Sequence, residues 1–429
     1  MGQALIYPRY DSYKNSGLDW LGEIPSGWDL KRLGAVFEER KEKVSDKDFP
    51  PLSVTKKGIL PQLASAAKSD DGDNRKGVRA GDFVINSRSD RKGSSGVAKN
   101  DGSVSLINIV LKPQGIDPRY CEHLLKSNGF IEEFYRMGHG IVADLWTTKY
   151  WDMKSIQIPL PDLETQQRIS NFLDQKTAEI DEAIAKKQRL IELLKEQKAI
   201  LINQAVTKGL SFKVPMRDSG VGWMGAIPSH WSTHKLKHIV KFSSGGTPSK
   251  NNSEYWGGPI PWVSPKDMKQ RYLSSSIDSI TEKAVQRTTI KLLRPGCVLI
   301  VVRGMILAKK VPVALSTAPL TINQDMKALV TSECCLPEYL LYLLDGLHEE
   351  LSSLLEESGH GTKTLPTEKL GNFILPLPPL EEQQGIIARV KDVDLRISHA
   401  ISITGEQIKT LIEMKQTFIA SAVTGKIKV

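Results

Sequence analysis

The chain has 429 residues, with 58 Lys or Arg against 49 Asp or Glu, and so carries a formal net charge of +9. A charged fraction of 25% and a hydrophobic fraction of 40% exclude wholesale disorder, and the length predicts about two to three domains. The positive excess favours a polyanionic partner such as nucleic acid, because a summed positive potential attracts polyanions at long range.

The cysteines and the apolar runs bear on the redox state and the location of the protein. The four cysteines, Cys121, Cys297, Cys334 and Cys335, have no CxxC spacing and no companion His cluster. We therefore expect reduced packing residues, with neither a zinc site nor a disulfide framework. The first residues lack a charged stretch followed by an apolar run, and no window of about 18 apolar residues occurs. These features predict a cytoplasmic protein that does not associate with a membrane.

An internal repeat is the strongest feature of the sequence. The segment WLGEIPSGW at 20–28 returns as WMGAIPSHW at 223–231, and a Gly-His-Gly tripeptide at 138–140 returns at 359–361. The offset between the copies changes along the chain, which indicates insertions and deletions between the conserved segments. The repeat predicts two copies of one architecture.

A long proline-free stretch with a heptad pattern follows each copy of a second repeated segment, PLPDLETQQ from Pro159 and PLPPLEEQQ from Pro376. The first seam comprises Leu173, Ile180, Lys187, Leu194 and Leu201 with Thr177, Ile184, Ile191, Lys198 and Ala205, and the second seam repeats it 217 positions later. Two helices of about 40 residues would bury these narrow stripes against each other as a two-stranded coiled coil. The register allows parallel or antiparallel strands. Connectivity favours the antiparallel pair, with one globular module at each end.

Several polar or small residues fall within these helices. The pairs Gln166-Gln167 and Gln383-Gln384 lie in the first turns, either as solvated helix formers or as partner contacts. Lys198 and Lys415 lie on the seam, where a polar residue usually specifies alignment. Gly405 costs up to about 1 kcal/mol relative to Ala and is the position at which the second helix would bend.

Each globular copy contains short β-branched runs that open after turn signals. Strands are predicted at 82–86 and 106–111 in the first copy and at 297–302 and 321–329 in the second. Apolar helices are predicted at 120–125 and 339–344. Each module is therefore α+β, with roughly 140 residues.

Basic side chains concentrate in the first copy between residues 56 and 92, where nine basic residues accompany five acidic ones. A glycine-bearing basic loop beside a strand suits contact with phosphates, and Arg can read guanine edges. The candidate DNA contacts here are Lys56, Lys57, Arg75, Lys76, Arg79, Arg88, Arg91, Lys92 and His139. The alternative interpretation is a solvated surface loop.

The second copy offers hydroxyls, glycines and a lysine at 243–250, in a segment that does not match the P-loop pattern. The candidate DNA contacts here are Ser244, Thr247, Ser249, Lys250, Lys266, Arg303, Lys309, Lys310, His360 and Lys363. The two histidines, His139 and His360, are open to a structural interpretation as well, because a lone histidine is more often structural.

Catalytic signatures are missing from the sequence. It contains no glycine-rich cofactor loop with its downstream acidic residue, no Walker lysine, no GxSxG, no HExxH and no NPPY-like element for a flipped adenine. We therefore do not expect catalysis by this chain alone.

The repeated nine-residue segments, the run SSGGTPSK…YWGGPIPWV from Ser243 and the two PLP segments closely resemble the specificity subunit of type I restriction-modification enzymes. The resemblance covers essentially the whole chain. It implies two target-recognition domains, each of which reads one half of a split, asymmetric sequence in double-stranded DNA, and two helical regions that act as a ruler. The implied boundaries are 1–160 and 211–377 for the recognition domains and 161–210 and 378–429 for the spacer helices.

The resemblance also implies partners and cofactors. The helices would dock two methyltransferase subunits, with or without two ATP-dependent restriction subunits. S-adenosylmethionine, ATP and Mg would then belong to those partners, and this chain would be non-catalytic, with no cofactor or metal of its own.

The expected fold is α+β, with two repeated α/β target-recognition domains joined by two long helices in an antiparallel coiled coil of pseudo-two-fold symmetry. The main functional hypothesis is a DNA specificity subunit. One alternative is a coiled-coil scaffold without DNA recognition, which salt-insensitive or absent DNA binding would favour. Another is an enzyme with an unrecognised site, which would require chemical turnover by the isolated chain.

Overall fold

The computed structural model describes residues 7–62, 72–141, 146–211, 213–357 and 361–429. The chain forms two compact units. Unit 1 combines Met1–Gln188 with Gly405–Val429, and unit 2 is Arg189–Thr404.

Unit 1 opens with a module of short strands and helices, here called the first module, which ends where a long helix begins. The strands are β1 (Tyr13–Asn15), β2 (Glu23–Pro25), β3 (Asp29–Arg32), β4 (Phe37–Glu39), β5 (Lys43–Val44), β6 (Leu52–Thr55), β7 (Gly58–Pro61), β8 (Arg75–Val78), β9 (Phe83–Asn86), β10 (Ser95–Val97), β11 (Gly102–Val104), β12 (Asn108–Pro113) and β13 (Gln157–Leu160). The helices are α1 (Pro118–Leu125), α2 (Asn128–Arg136), α3 (Tyr150–Met153) and the long helix α4 (Leu163–Lys208).

The first module is organised around an antiparallel sheet of order β10-β9-β12-β4. All four residues of β9 are buried, as expected for a central strand of mostly β-branched and aromatic residues. A second sheet, β11-β8-β5, carries the basic residues of β8. Helix α1 begins at its N-cap residue Asp117, whose carboxylate accepts from the backbone N–H groups of Arg119 and Tyr120.

Unit 2 contains the second module, which lies between the two long helices in the sequence. The strands are β14 (Met216–Asp218), β15 (Ala226–Pro228), β16 (Ser232–Lys235), β17 (Val240–Ser244), β18 (Trp256–Val263), β19 (Tyr272–Leu273), β20 (Asp278–Ile280), β21 (Val298–Val301), β22 (Val313–Ser316), β23 (Thr321–Ile322), β24 (Met326–Thr331), β25 (Glu356–Glu357), β26 (Lys363–Thr364) and β27 (Ile374–Leu377). The helices are α5 (Leu236–Ile239), α6 (Glu282–Arg287), α7 (Pro337–Gly346), α8 (His348–Ser353), α9 (Thr367–Asn372) and the long helix α10 (Leu380–Val423).

The main sheet of the second module has the order β17-β24-β21-β22-β19, and its pairs are antiparallel except β19 with β22. A second sheet has the order β20-β18-β23. The single strand predicted at 321–329 is wrong, because a turn separates β23 from β24. The Asn323 side chain accepts from the backbone N–H of Asp325 and closes that turn. The other three predicted strands and both apolar helices are present, with ends that differ from the prediction by at most two residues.

The two long helices run antiparallel in unit 1, as the connectivity predicted. The Lys415 ammonium bonds both carboxylate oxygens of Asp181, at 2.7 and 2.6 Å. Lys187 donates to the amide oxygen of Gln407 at 2.7 Å. Moving forward along α4 therefore corresponds to moving backward along α10.

Unit 2 shows the same direction of pairing. Lys198 on α4 donates to the hydroxyl of Ser398 on α10 at 3.0 Å. Just past the end of α4, the Leu210 side chain lies against Gly385 near the start of α10. Every seam position predicted from the heptads is buried or partly buried.

The first glutamine of each predicted pair has a structural role. Gln166 and Gln383 are almost fully buried. Gln383 accepts from the backbone N–H of Leu336 and donates to the carbonyls of Cys334 and Pro378, at 2.8 to 2.9 Å. Gln166 makes the equivalent bonds with Asp117 and Pro161. These bonds join the helix start to the module and correct both earlier interpretations for these two residues, since neither is solvated or available to a partner.

Gly405 does not interrupt the second helix. Helix α10 continues from Leu380 to Val423, and the space beside Gly405 is open. The hydrogen-bonded turns on both sides outweigh the propensity cost of a single glycine.

Candidate nucleic-acid interface

Four of the basic candidates in the first module lie near one end of its main sheet. Arg88 and Arg91 are exposed; Arg88 caps the start of the single-turn 3-10 helix Ser89–Arg91 that follows β9, and Arg91 is its last residue. His139 forms an isolated β-bridge with Thr147, and Thr147 in turn bridges to Arg88. The loop after the central strand is therefore held beside the Gly-His-Gly segment.

Two side chains at this loop, Lys92 and His139, each lie close to a carboxylate. The Lys92 ammonium lies 2.6 Å from Glu132 on α2 and faces the Tyr135 ring at 5.8 Å from its centre. His139 Nε2 lies 3.3 Å from Asp152, and its side chain remains 79% exposed. A polyanion can compete with Glu132 for the Lys92 ammonium, because surface ion pairs contribute only about 0–1 kcal/mol.

Lys56 and Lys57 occupy the tip of the β6–β7 hairpin and are exposed. Gly58 follows them with φ of 117°, a conformation that L side chains rarely adopt. The backbone of Gly58 lies against Gly96 of β10, the strand that comes directly after the Arg88–Arg91 loop. The hairpin tip is thus a second cationic element next to β10.

Three other candidates of the first module are engaged within the β11-β8-β5 sheet region. Arg75 is buried and donates to the hydroxyl of Ser103 at 2.8 Å and to the Ser103 carbonyl at 3.1 Å. Burial lowers the pKa of the Arg75 guanidinium. Lys76 donates to the carbonyl of Asn108 at 2.8 Å. These donors already have protein acceptors, and so we leave both residues out of the interface proposed below.

Arg79 is also held by protein groups. Its guanidinium lies 2.9 Å from Glu42 and 3.1 Å from Asp101, and it stacks over the Phe49 ring at 4.5 Å. The pKa of the Asp101 carboxyl is lowered, first by the hydrogen bond from the backbone N–H of Ala80 and then by Arg79. We leave Arg79 out of the proposed interface as well.

In the second module, a turn at 323–325 gathers candidates that are distant in sequence. Arg303 follows β21, and its Nε lies 2.7 Å from the carboxylate of Asp325. The hydroxyl of Thr247 donates to the side chain of Gln324. The backbone N–H of Gly304 donates to the carbonyl of Lys363 at 3.1 Å. Arg303, Thr247 and Lys363 therefore surround one turn.

In the glycine-rich segment at 243–250, the backbone of Gly245 packs closely against the backbone of Asn323. A Cβ added at Gly245 would lie 2.1 Å from the carbonyl oxygen of Asn323, so only glycine fits at this position. Ser244 lies opposite Lys327 in register, and the Lys327 ammonium donates to its hydroxyl at 2.6 Å. Sequence reasoning missed Lys327, although its position in a strand beside the Ser-Gly-Gly segment was the available signal.

The remaining candidates of the second module are dispersed. Ser249 and Lys250 are exposed and continue the Thr247 loop, and the indole N–H of Trp256 donates to the Ser249 carbonyl at 3.1 Å. Lys266 pairs with Asp278 at 2.7 Å. Lys309 is exposed.

Two candidates of the second module, Lys310 and His360, are not part of the proposed interface. Lys310 points to Asp345 of α7, with its ammonium 3.3 Å from the carboxylate, and so we leave it out of the proposed interface. His360 lies outside the described residues.

The two modules thus share an arrangement that the repeat alone did not specify. In each, the loop after the central buried strand, β9 or β21, contacts the segment around or just after the repeated Gly-His-Gly. Each such loop begins with an exposed arginine, Arg88 or Arg303. Cationic side chains in this position suit contact with phosphates and base edges of a duplex.

Membrane-spanning helices and metal-binding clusters are both absent from the part of the chain that the structure describes. No helix there is long and apolar enough to cross a membrane. No group of three or more His, Cys, Asp or Glu side chains there could hold a metal ion.

Known proteins that are similar to this chain include specificity subunits of type I restriction enzymes. A family model described as the type I restriction modification DNA specificity domain matches residues 228–409. The specificity subunit of the type I restriction enzyme EcoR124I/EcoR124II of Escherichia coli is 35% identical over 277 residues, which is 63% of this chain and 62% of that protein. The match thus spans less than two thirds of that relative's own length.

Longer but more distant similarities cover nearly the whole chain. The MjaVIII specificity subunit of Methanocaldococcus jannaschii is 26% identical over 95% of this chain and 94% of its own. A chain from a structural study of complex assembly in the type I R-M system superposes with a TM-score of 0.73 at 18% identity, covering 93% of this chain and 98% of that one. The domain match, these relatives and the shared fold agree that the chain is similar to type I restriction-modification specificity subunits.

Proposed function

We propose that the chain is the DNA-recognition subunit of a type I restriction-modification complex. Each module binds one half of a bipartite, asymmetric sequence in double-stranded DNA, and the paired helices set the gap between the halves. The observation that carries this proposal is a cationic loop placed after the central strand of each module, beside the Gly-His-Gly segment in the first module and beside Lys363 and Thr364 in the second.

The proposed interface consists of exposed or weakly paired side chains. In the first module it comprises Lys56, Lys57, Arg88, Arg91, Lys92 and His139. In the second module it comprises Ser244, Thr247, Ser249, Lys250, Lys266, Arg303, Lys309 and Lys363, with Lys327 added from the structure. Two such surfaces on one chain support bipartite binding, because the second contact becomes intramolecular once the first has formed.

The division of labour with partner subunits belongs to the same proposal. Two methyltransferase subunits dock on the helices and supply adenine methylation with S-adenosylmethionine, and two restriction subunits with ATP and Mg can join them. This chain contributes recognition and no reacting group, and the complex acts in the cytoplasm. The boundaries 1–160, 161–210, 211–377 and 378–429 remain our proposed division into recognition domains and spacers.

Co-expression tests the proposal directly. The chain is produced with its neighbouring methyltransferase in a host without adenine methylation, and modified bases are mapped by single-molecule sequencing. We expect a split motif with a fixed gap that disappears when this chain is omitted. A stable complex without any methylation would favour the scaffold alternative. A contiguous motif would keep DNA recognition but contradict the role of the helices as a ruler.

A further inference from the structure

A cluster of charged side chains connects the second module to both long helices within unit 2. Arg271, immediately before β19, donates from Nε to the carboxylate of Asp345 on α7 at 2.9 Å. A second guanidinium nitrogen of Arg271 donates to Asp394 on α10 at 2.7 Å. One rigid, planar group therefore bridges a helix of the module and a helix of the spacer.

The other long helix joins the same cluster. The ammonium of Lys198 on α4 lies 2.5 Å from the Asp394 oxygen that Arg271 contacts. Burial by itself would raise the pKa of Asp394, but the hydrogen bonds from Lys198 and Arg271 hold that pKa below the ordinary value of an aspartate. The carboxylate is therefore charged at neutral pH and attracts both cations.

Unit 1 uses the corresponding helix positions differently. Lys415, which is the repeat equivalent of Lys198 at an offset of 217, pairs with Asp181 on α4. That ion pair joins one helix to the other. In unit 2, the position equivalent to Asp181 is occupied by Ser398. The carboxylate that pairs with the lysine is instead Asp394, one helical turn earlier, and Arg271 of the module also donates to it.

The ionic cluster lies beside the main apolar contact between this module and the helices. That contact includes Ile202 and Val206 on α4 and Ile386 and Val390 on α10. Lys198 precedes Ile202 by four residues and Val206 by eight, which is about 6 Å and about 12 Å along the helix axis. Asn203 and the Val206 carbonyl also bond the module, so the ionic cluster extends this attachment by about one helical turn away from the end of α4.

A cleft of about 670 Å³ lies along the apolar attachment and the ionic cluster. Its lining includes Lys198, Ile202 and Asn203 of α4 together with Arg271 and His348 of the module. Few side chains fill this space, so Arg271 is one of the groups that connect the module to the helices across it.

We propose that Arg271 is a positioning residue that fixes the orientation of the second module on the spacer helices, and thereby sets how strictly the complex measures the gap between the two half-sites. The inference rests on the proposed function, since it assigns a determinant of gap specificity to this chain. Adding one base pair to the gap moves a half-site by about 3.4 Å and about 35°. A module whose attachment to the helices lacks the bridge from Arg271 can follow such a displacement more easily than one that retains it.

The central variant is Arg271→Met, which keeps most of the apolar stem and removes the guanidinium. Asp345 keeps Lys310 at 3.3 Å, and Asp394 keeps Lys198, so neither carboxylate loses its only cation. Arg271→Lys retains the positive charge but lacks the planar guanidinium, which donates to Asp345 and Asp394 from two different nitrogens. Lys283→Met removes an exposed ion pair with Glu254 in the same unit and serves as the matched control.

The first readout is binding of the methyltransferase complex to its mapped target with the native gap and with gaps one base pair shorter and longer. We expect the wild type and Lys283→Met to discriminate between these gaps by about tenfold or more, and Arg271→Met by less than about threefold, with Arg271→Lys between them. Unchanged discrimination in Arg271→Met would overturn the inference and leave the proposed function intact. If the wild type bound the targets with all three gaps equally well, both the inference and the proposed function would be contradicted.

A second readout does not depend on DNA. Spin labels are attached at Glu282 on α6 and His399 on α10, two exposed positions, in a Cys334→Ser background that removes the exposed cysteine. We expect a broader distance distribution in Arg271→Met than in the wild type or Lys283→Met. An unchanged distribution in a folded Arg271→Met protein would overturn the inference, and rescue by Arg271→Lys would separate loss of positioning from general destabilisation.

Discussion

Arg303 illustrates how one side chain is held in place and still presented to a ligand. Its Nε is oriented by Asp325, yet the side chain remains 53% exposed. The neighbouring backbone is fixed at Gly304, whose φ of 137° is a conformation that favours glycine and whose N–H donates to Lys363. Pre-orientation lowers the entropy lost when a long side chain binds a base or a phosphate.

We expect Arg303→Ala to weaken recognition of the second half-site by about 1–3 kcal/mol if the guanidinium reads a base edge, because a bidentate contact to guanine is lost. Methylation mapping with the variant should show a relaxed preference confined to one half of the motif. Arg88→Ala is the counterpart in the first module and should relax the other half. Lys283→Ala, which removes an exposed ion pair elsewhere in unit 2, should change neither half. Equal relaxation of both halves by Arg303→Ala would contradict the assignment of one module to each half-site.

At the scale of elements, each module is joined to its long helix by the same few contacts. The buried Gln166 and Gln383 tie the first turn of each helix to the loop before the module's own helix, α1 or α7. The hydroxyl of Tyr339 donates to the carbonyls of Pro376 and Val206 in unit 2, and Tyr120 makes the equivalent bonds in unit 1. Buried polar groups of this kind specify one geometry, because any other leaves them unpaired.

Gln383→Ala should lower the free energy of unfolding of the second unit by about 1–3 kcal/mol, because a buried backbone N–H and two carbonyls lose their partner. Urea unfolding followed by tryptophan fluorescence measures this loss. The neighbouring Gln384 is exposed, so Gln384→Ala should stay within about 0.5 kcal/mol of the wild type. If the two variants were equally stable, the buried hydrogen bonds of Gln383 would not be what holds the helix start to the module.

At the scale of the whole molecule, each module packs on the start of the helix that follows it in sequence and on the end of the other long helix. The end of α4 carries Ala205-Val206-Thr207, and the end of α10 carries the same three residues at 422–424. Just past the helix ends, Gly209 lies against Trp231 in unit 2, and Gly425 lies against Trp28 in unit 1. The two helix ends therefore present nearly the same surface to their modules.

This equivalence predicts the behaviour of a chain truncated after Gly209. Such a fragment holds the first module and α4, and the end of α4 from a second copy can occupy the place of the end of α10. We expect a homodimer that directs methylation to a symmetric split sequence built from the first half-site. Analytical ultracentrifugation and methylation mapping measure the two outcomes. A soluble, helical fragment that stays monomeric with its methyltransferase present would contradict the interchangeability of the helix ends.

Much of the architecture could be predicted because it depends on patterns local to the sequence. The offset of 217 between the seams and the heptad spacing predict two paired helices, the length of chain between them favours the antiparallel direction, and Lys198 and Lys415 lie on the seam as expected. The strands around β9 and β21 follow from β-branched runs bounded by turns. The similarity to type I specificity subunits follows from the repeated segments in the same way.

The tertiary structure alone decided which polar residues are available to a ligand and which support the fold. Arg75 and Arg88 are both arginines of one basic stretch, yet the first is buried on Ser103 and the second is exposed after β9. The grouping of Thr247, Arg303 and Lys363 around one turn joins segments more than fifty residues apart, and so does the bridge from Arg271 to Asp394. A sequence pattern reports the period of an element, whereas the side chains that meet across elements depend on how those elements pack.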